Sequence, residues 1–211
     1  MFKKFFKLFL ILLLYQSPLY SKNITLNDFN TRYLSNYFSG IVAYNNLSNS
    51  EALKFFKSSK FLIKKHTPYL ERYVYSLVLE GKVKQATNEI KQNLTENNSI
   101  FFEAHLILAL ESLKNKNYKK SKEHLLRSYA FIENDRISLI IVETLRQYLH
   151  VFENNKILNT ENKFGNFSFI NEVFQRCYLN DENTKTYFEN LINNTNDTDY
   201  SRYIFFYVNY L

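Results

Sequence analysis

Ala52 and Ala86 stand 34 residues apart, and Ser121 follows after a further 35. Each small residue lies early in a segment of helical spacing. Each is followed four residues on by a large apolar one: Phe56, Ile90 and Leu125. Each is also preceded by an apolar helix and a short polar turn. A small side chain at such a point lets the backbone of a second helix come close. A period near 34 marks helix-turn-helix units, none of which can bury its apolar face alone, so neighbouring units must stack. The spacing therefore predicts an all-α solenoid of antiparallel helix pairs.

Three units can be laid out at that period, over 33–66, 67–100 and 102–135. In the second, Leu70, Tyr73, Val74, Leu77 and Val78 share one helical face. Thr67 is placed to cap that helix, Pro68 suits its first turn, and Gly81 suits the left-handed residue beyond its end. In the first unit, Ser48 and Glu51 have the spacing of a capping box. Gly40, in the middle of a helix, is expected to face Ala52 at a close helix approach. Beyond the third unit, 136–152 reads as an amphipathic helix with Ile141, Leu145, Tyr148, Leu149 and Phe152 on one face. Residues 153–166 read as a loop, 167–178 and 184–192 as a further helix pair, and 193–199 as a polar break. The stretch 203–211 is apolar on every side. It either folds back, meets a partner, or opens another repeat.

Gly40, Ala52 and Phe56, with Ala86 and Ile90 one period on, resemble the tetratricopeptide repeat. The segments 33–57 and 67–94 are similar to repeats of exported tetratricopeptide proteins of alphaproteobacteria, and the resemblance covers about 33–128. It implies a right-handed superhelix in which the first helix of each repeat lines a concave, protein-binding face. Mapped by position, that face takes Tyr37, Ile41 and Tyr44 from the first repeat. It takes Glu71, Tyr75 and Val78 from the second, and Leu106 and Leu110 from the third. Such a strip would be apolar and tyrosine-bearing with one acid, suited to an amphipathic helix or an extended apolar peptide. The other reading makes several of these residues inter-repeat core. The positions at which related grooves grip a C-terminal carboxylate are Tyr37, Ile41, Arg72, Glu103 and Ile107 here. Only Arg72 is basic, which argues against that subtype.

Lysines crowd two of the expected turns: Lys82 and Lys84 in one, and Lys114, Lys116, Lys119, Lys120 and Lys122 in the other. Stacked repeats would align them as a basic ridge. Cations at a helix N-terminus oppose the macrodipole, so the placement points either to an anionic partner such as lipid headgroups or to a solvated edge.

The N-terminal stretch has the order of a secretory signal peptide: Lys3, Lys4 and Lys7, then the apolar run 8–15, then 16–21 with a proline and small residues. That run is shorter than the roughly 20 residues a membrane span needs. The expected organisation is 1–21 signal peptide, 22–32 N-terminal segment, 33–153 repeats, 154–166 polar loop and 167–211 degenerate repeats. The expected location is the periplasm, or the inner membrane if the signal segment is retained as an anchor. Loss of the three signal lysines takes the formal charge from +7 to +4, too small a surplus to argue for nucleic acid.

With a single cysteine, Cys177, no intrachain disulfide is possible, and a buried apolar filler is the expected role. Three glycines leave little material for a phosphate cradle, and neither a Cys-x-x-Cys nor a His-Glu-x-x-His pattern occurs. His105 and His124 are placed to face each other across the third repeat, but a metal needs more ligands than two. The expectation is a non-catalytic binding protein without cofactor, metal or small-molecule substrate. The alternative is a structural protein held on anionic lipid by the basic ridge.

Overall fold

The computed structural model describes residues 30–94, 101–132, 135–159, 164–193 and 203–211. The expected signal peptide and most of the 22–32 segment lie outside the described residues. Among the described residues every regular element is helical, with ten α-helices, two 3₁₀ segments and no strand. They fall into two compact units, one ending at Glu80 and the other starting at Gly81.

The first unit holds α1 (Thr31–Asn45), α2 (Asn49–Ser58), a 3₁₀ segment (Lys60–Lys64) and α3 (Pro68–Leu79). Asn30 starts α1 by accepting a hydrogen bond from the Arg32 N–H at 2.9 Å. α2 folds back along α1, and α3 lies against both. The interior is aromatic: Phe56, Tyr69 and Tyr73 are fully buried beside Ala52, Leu53, Val74 and Leu77. Tyr69 and Phe56 meet edge to face at 6.2 Å, and the Tyr69 hydroxyl donates to the Phe56 carbonyl.

Gly40 is buried, as the sequence suggests, but its closest neighbour is the ring of Phe56 rather than Ala52. A Cβ at position 40 would stand 2.8 Å from Phe56 Cε1. The ring that follows Ala52 by one turn fills the notch that the missing side chain leaves. The capping box is not formed, since the Ser48 side chain makes no cap hydrogen bond, and neither does that of Thr67. Pro68 does sit at the start of α3.

The second unit runs α4 (Val83–Asn93), α5 (Phe102–Lys114), α6 (Tyr118–Ser128), a 3₁₀ turn (Tyr129–Phe131), α7 (Arg136–Asn154), α8 (Asn166–Leu179), α9 (Thr184–Asn193) and α10 (Ile204–Tyr210). Each α-helix packs on the next in chain order. One core gathers Ala109, Leu125, Val142 and Leu149. A second gathers Val173, Phe188 and Leu191, with Tyr203, Tyr207 and Tyr210 against it. α7 buries part of the expected face, Leu149 with Leu145 against the core, but the buried face is rotated from the one expected. Ile141 is 39% exposed, whereas Val142, Leu149 and Val151 turn inward together with Glu143 and Gln147. The two polar side chains are satisfied there. Glu143 binds Tyr129 and Arg146, and Gln147 accepts from Gln175 at 3.3 Å.

The repeat is visible in the backbone. Positive φ occurs at Leu47 (59°), Gly81 (69°) and Lys116 (57°), spaced by 34 and 35 residues, as are Ala52, Ala86 and Ser121. At two of these corners the same pair of main-chain bonds closes the preceding helix. Leu47 N–H reaches Tyr44 O and Ser48 N–H reaches Ala43 O. Lys116 N–H likewise reaches Leu113 O, and Asn117 N–H reaches Ser112 O. This is the Schellman arrangement, which satisfies carbonyls that would otherwise end the helix unpaired. Ala52 and Ala86 are fully buried and Ser121 nearly so. Ser121 fits where the others are alanine because its hydroxyl donates to the Ala109 carbonyl of the facing helix at 2.9 Å.

Candidate functional site

The positions mapped to a concave face separate by depth. Tyr37 is 4% exposed and belongs to the interior of the first unit. Its hydroxyl is 3.0 Å from His66 Nε2, and its ring packs on Phe56, Tyr69 and the His66 ring. A partner cannot reach it, so Tyr37 leaves the proposed strip and takes the core role that was the other reading. Ile41, Tyr44, Glu71 and Tyr75 are half-buried, and Val78 is exposed. These five lie on α1 and α3, which are neighbours in the first unit. In the second unit Leu106 is half-buried against the Ala109–Leu149 core, whereas Leu110 is 48% exposed.

Two exposed residues on α1 escaped the sequence reading. Phe38 and Val42 stand one turn apart on the solvent side of Tyr37 and Ile41. Their spacing of four was a legible signal. It was masked because α1 is apolar over more of its circumference than one buried face needs. Leu79 on α3 is a further exposed apolar residue.

Lys82, Lys84, Lys114, Lys116, Lys119, Lys120 and Lys122 are all exposed members of the second unit. They are not uniformly available. Lys122 is ion-paired with Glu153 at 2.5 Å. Lys120 lines a cavity of about 260 Å³ with Glu111, Glu123, His124 and Arg127, and there Lys91 is bound to Glu111 at 2.6 Å. Asn117 caps α6 by accepting from the Lys120 N–H, so this N-terminus is already served by a side chain.

His105 and His124 do face each other, with ring centroids 5.8 Å apart. The Nδ1 atoms of both are buried without a hydrogen-bond partner. Burial, the neighbouring His124 and then Arg127 hold His105 far below the usual imidazole value, at about 4. His124 is also lowered, by burial first and then by Arg127. Both rings are therefore neutral at pH 7. Tyr129 has its phenol pushed up to about 12 by burial and by its bond to Glu143, which suits a structural donor rather than a base. Arg176 is held by Glu172 and Asp181 and lies 4.0 Å over the Tyr187 ring. Cys177 packs against the Phe188 core, and burial raises its thiol pKa. Among the described residues no three His, Cys, Asp or Glu side chains are grouped to hold a metal ion. The polar clusters join helices to one another, and the surface features that invite contact are apolar or cationic.

Neither a family model, nor a curated protein, nor a solved structure matches this chain.

Proposed function

We propose that this protein is a non-catalytic interaction scaffold of the cell envelope. In this reading it is a right-handed solenoid of tetratricopeptide-like repeats that takes a peptide or an amphipathic helix on its concave face. The observation that carries the reading is the double recurrence at 34 and 35 residues: left-handed corners at Leu47, Gly81 and Lys116, and buried small residues at Ala52, Ala86 and Ser121. Units repeated in this way are built to be stacked, and stacking yields extended preformed surfaces. The contact residues are those of the first unit, Ile41, Tyr44, Glu71, Tyr75 and Val78. The amphiphilic tyrosines offer flat area with few rotors, and Glu71 sets a preference for a partner carrying a cation. The N-terminal order of lysines, apolar run and small residues supports export as the route to the envelope.

Capture of partners from envelope extract tests the reading. Tyr75→Ala is expected to weaken capture about ten-fold, the loss typical of an interface aromatic, while helicity stays unchanged. Lys84→Ala, on the lysine-rich edge, should leave capture intact. Equal recovery by wild type and by a Tyr44→Ala/Tyr75→Ala double variant would sink the concave-face assignment.

A further inference from the structure

The C-terminal helix α10 splits cleanly into two faces. Its tyrosines are anchored. Tyr203 meets Phe174 at 6.1 Å, and Tyr207 and Tyr210 meet Phe188 at 5.6 and 5.7 Å. Tyr207 also donates to Glu189 at 2.8 Å. The opposite face is apolar and open: Ile204 is 44% exposed, Phe205 68%, Val208 62% and Leu211 73%, whereas Phe206 turns with the tyrosines and meets Phe174 at 5.1 Å. Ile204, Val208 and Leu211 follow one another at four and three residues, and Phe205 lies three before Val208, so they form a single stripe.

With the roughly 150–250 Å² of an aromatic residue as the ceiling for each side chain, the stripe leaves at most on the order of 500 Å² of apolar surface in water, within the range of the largest patch on a monomer. No charged side chain occurs from 203 to 211 in a chain whose formal charge is +7.

We propose that this stripe is a self-association surface, closed by the same stripe of a second copy in a two-fold dimer. Two copies would cover at most about 1,000 Å², the size of a weak, reversible interface rather than of a permanent one. An isologous contact sets like against like. That is tolerable only where no charge would meet its own image, and α10 meets the condition where most of this basic chain does not. A lipid surface fits less well, because interfacial helices hold headgroups with Lys or Arg on their polar face, and here that face is tyrosine packed into protein. The inference does not depend on the concave-face reading and concerns other residues.

Sedimentation equilibrium of the full chain from 1 to 500 μM is the test. The expected result is a rise from the 25.4 kDa monomer to twice that mass, with a Kd in the micromolar range. Phe205→Asp and Val208→Asp should each weaken association more than ten-fold, with circular dichroism unchanged. A monomer at every concentration would overturn the proposal, as would a dimer that neither variant weakens. So would a monomer that co-sediments with neutral phosphatidylcholine vesicles, which would assign the stripe to lipid.

Discussion

Leu47 and Lys116 take the same left-handed backbone angles as Gly81, yet both carry a Cβ that this conformation crowds against the following carbonyl oxygen. Such a residue costs roughly 1–2 kcal/mol, part of which glycine gives back through its freer unfolded chain. Leu47→Gly and Lys116→Gly are each expected to raise stability by about 0.5–1 kcal/mol in urea titrations. Neither needs its side chain to close the corner, because the closing bonds are main-chain. Gly40 is the opposite case. Alanine there would gain about 1 kcal/mol in helix propensity. Its Cβ, however, would stand 2.8 Å from a Phe56 ring that is fully buried. Overpacking of this kind costs about 1–3 kcal/mol, so Gly40→Ala is expected to be a net loss of about 1–2 kcal/mol. Combining it with Phe56→Leu should lose less than the two single changes together, since the smaller side chain vacates the notch.

At the scale of elements, the pairing of α5 and α6 rests on an interior that contains His105 and His124. Both fold with lowered proton affinity, and in the unfolded chain both return toward 6.5. The unfolded state therefore binds more protons wherever pH lies below 6.5, and stability falls with it. Stability is expected to be flat above pH 7 and to decline from about 6.5 to about 4. His105 contributes on the order of 2–3 kcal/mol to that decline. Arg127 and Lys120 oppose a proton on His124, while Glu123 and Glu111 favour one; Lys91, on the adjoining α4, already neutralises Glu111. A urea midpoint series from pH 8 to 4 checks this, with His105→Leu expected to flatten most of the slope.

The facing of these two rings was legible from position alone, because a fixed repeat places equivalent helices opposite each other. The same logic located α5 and α6 and the helices α8 and α9. On α7 it found Leu145 and Leu149 but missed Glu143 and Gln147, which share the buried face. Apolar periodicity has no symbol for a carboxylate that is held by Arg146 one turn along its own helix and by Tyr129 from the preceding 3₁₀ turn. It also placed Tyr37 on the surface. Tyrosine suits both a contact and a core, and only the hydrogen bond to His66, 29 residues away, decides between them. The buried Gly40 notch was legible, but its occupant was not, because spacing along a chain does not say which rotamer Phe56 adopts.

For the molecule as a whole, 27 basic and 20 acidic side chains leave a modest surplus, and one lysine of the edge, Lys122, is already paired with Glu153. Long-range attraction to anionic surfaces is therefore screened over a Debye length of about 8 Å at physiological salt. Vesicles rich in phosphatidylserine should retain the chain at low ionic strength and release most of it by about 0.15 M salt. Retention at 0.5 M would favour the membrane-surface alternative instead.

The corners at Leu47 and Lys116 carry one more implication. A joint closed by main-chain atoms alone asks only that its residue bear the left-handed angle, and a glycine, an asparagine or an arginine could stand there with the bend intact. Mutation can thus wear away the letters of such a chain while its angular rhythm survives. Kinship among proteins of this build is better sought in backbone angles sampled every 34 or 35 steps than in aligned residues.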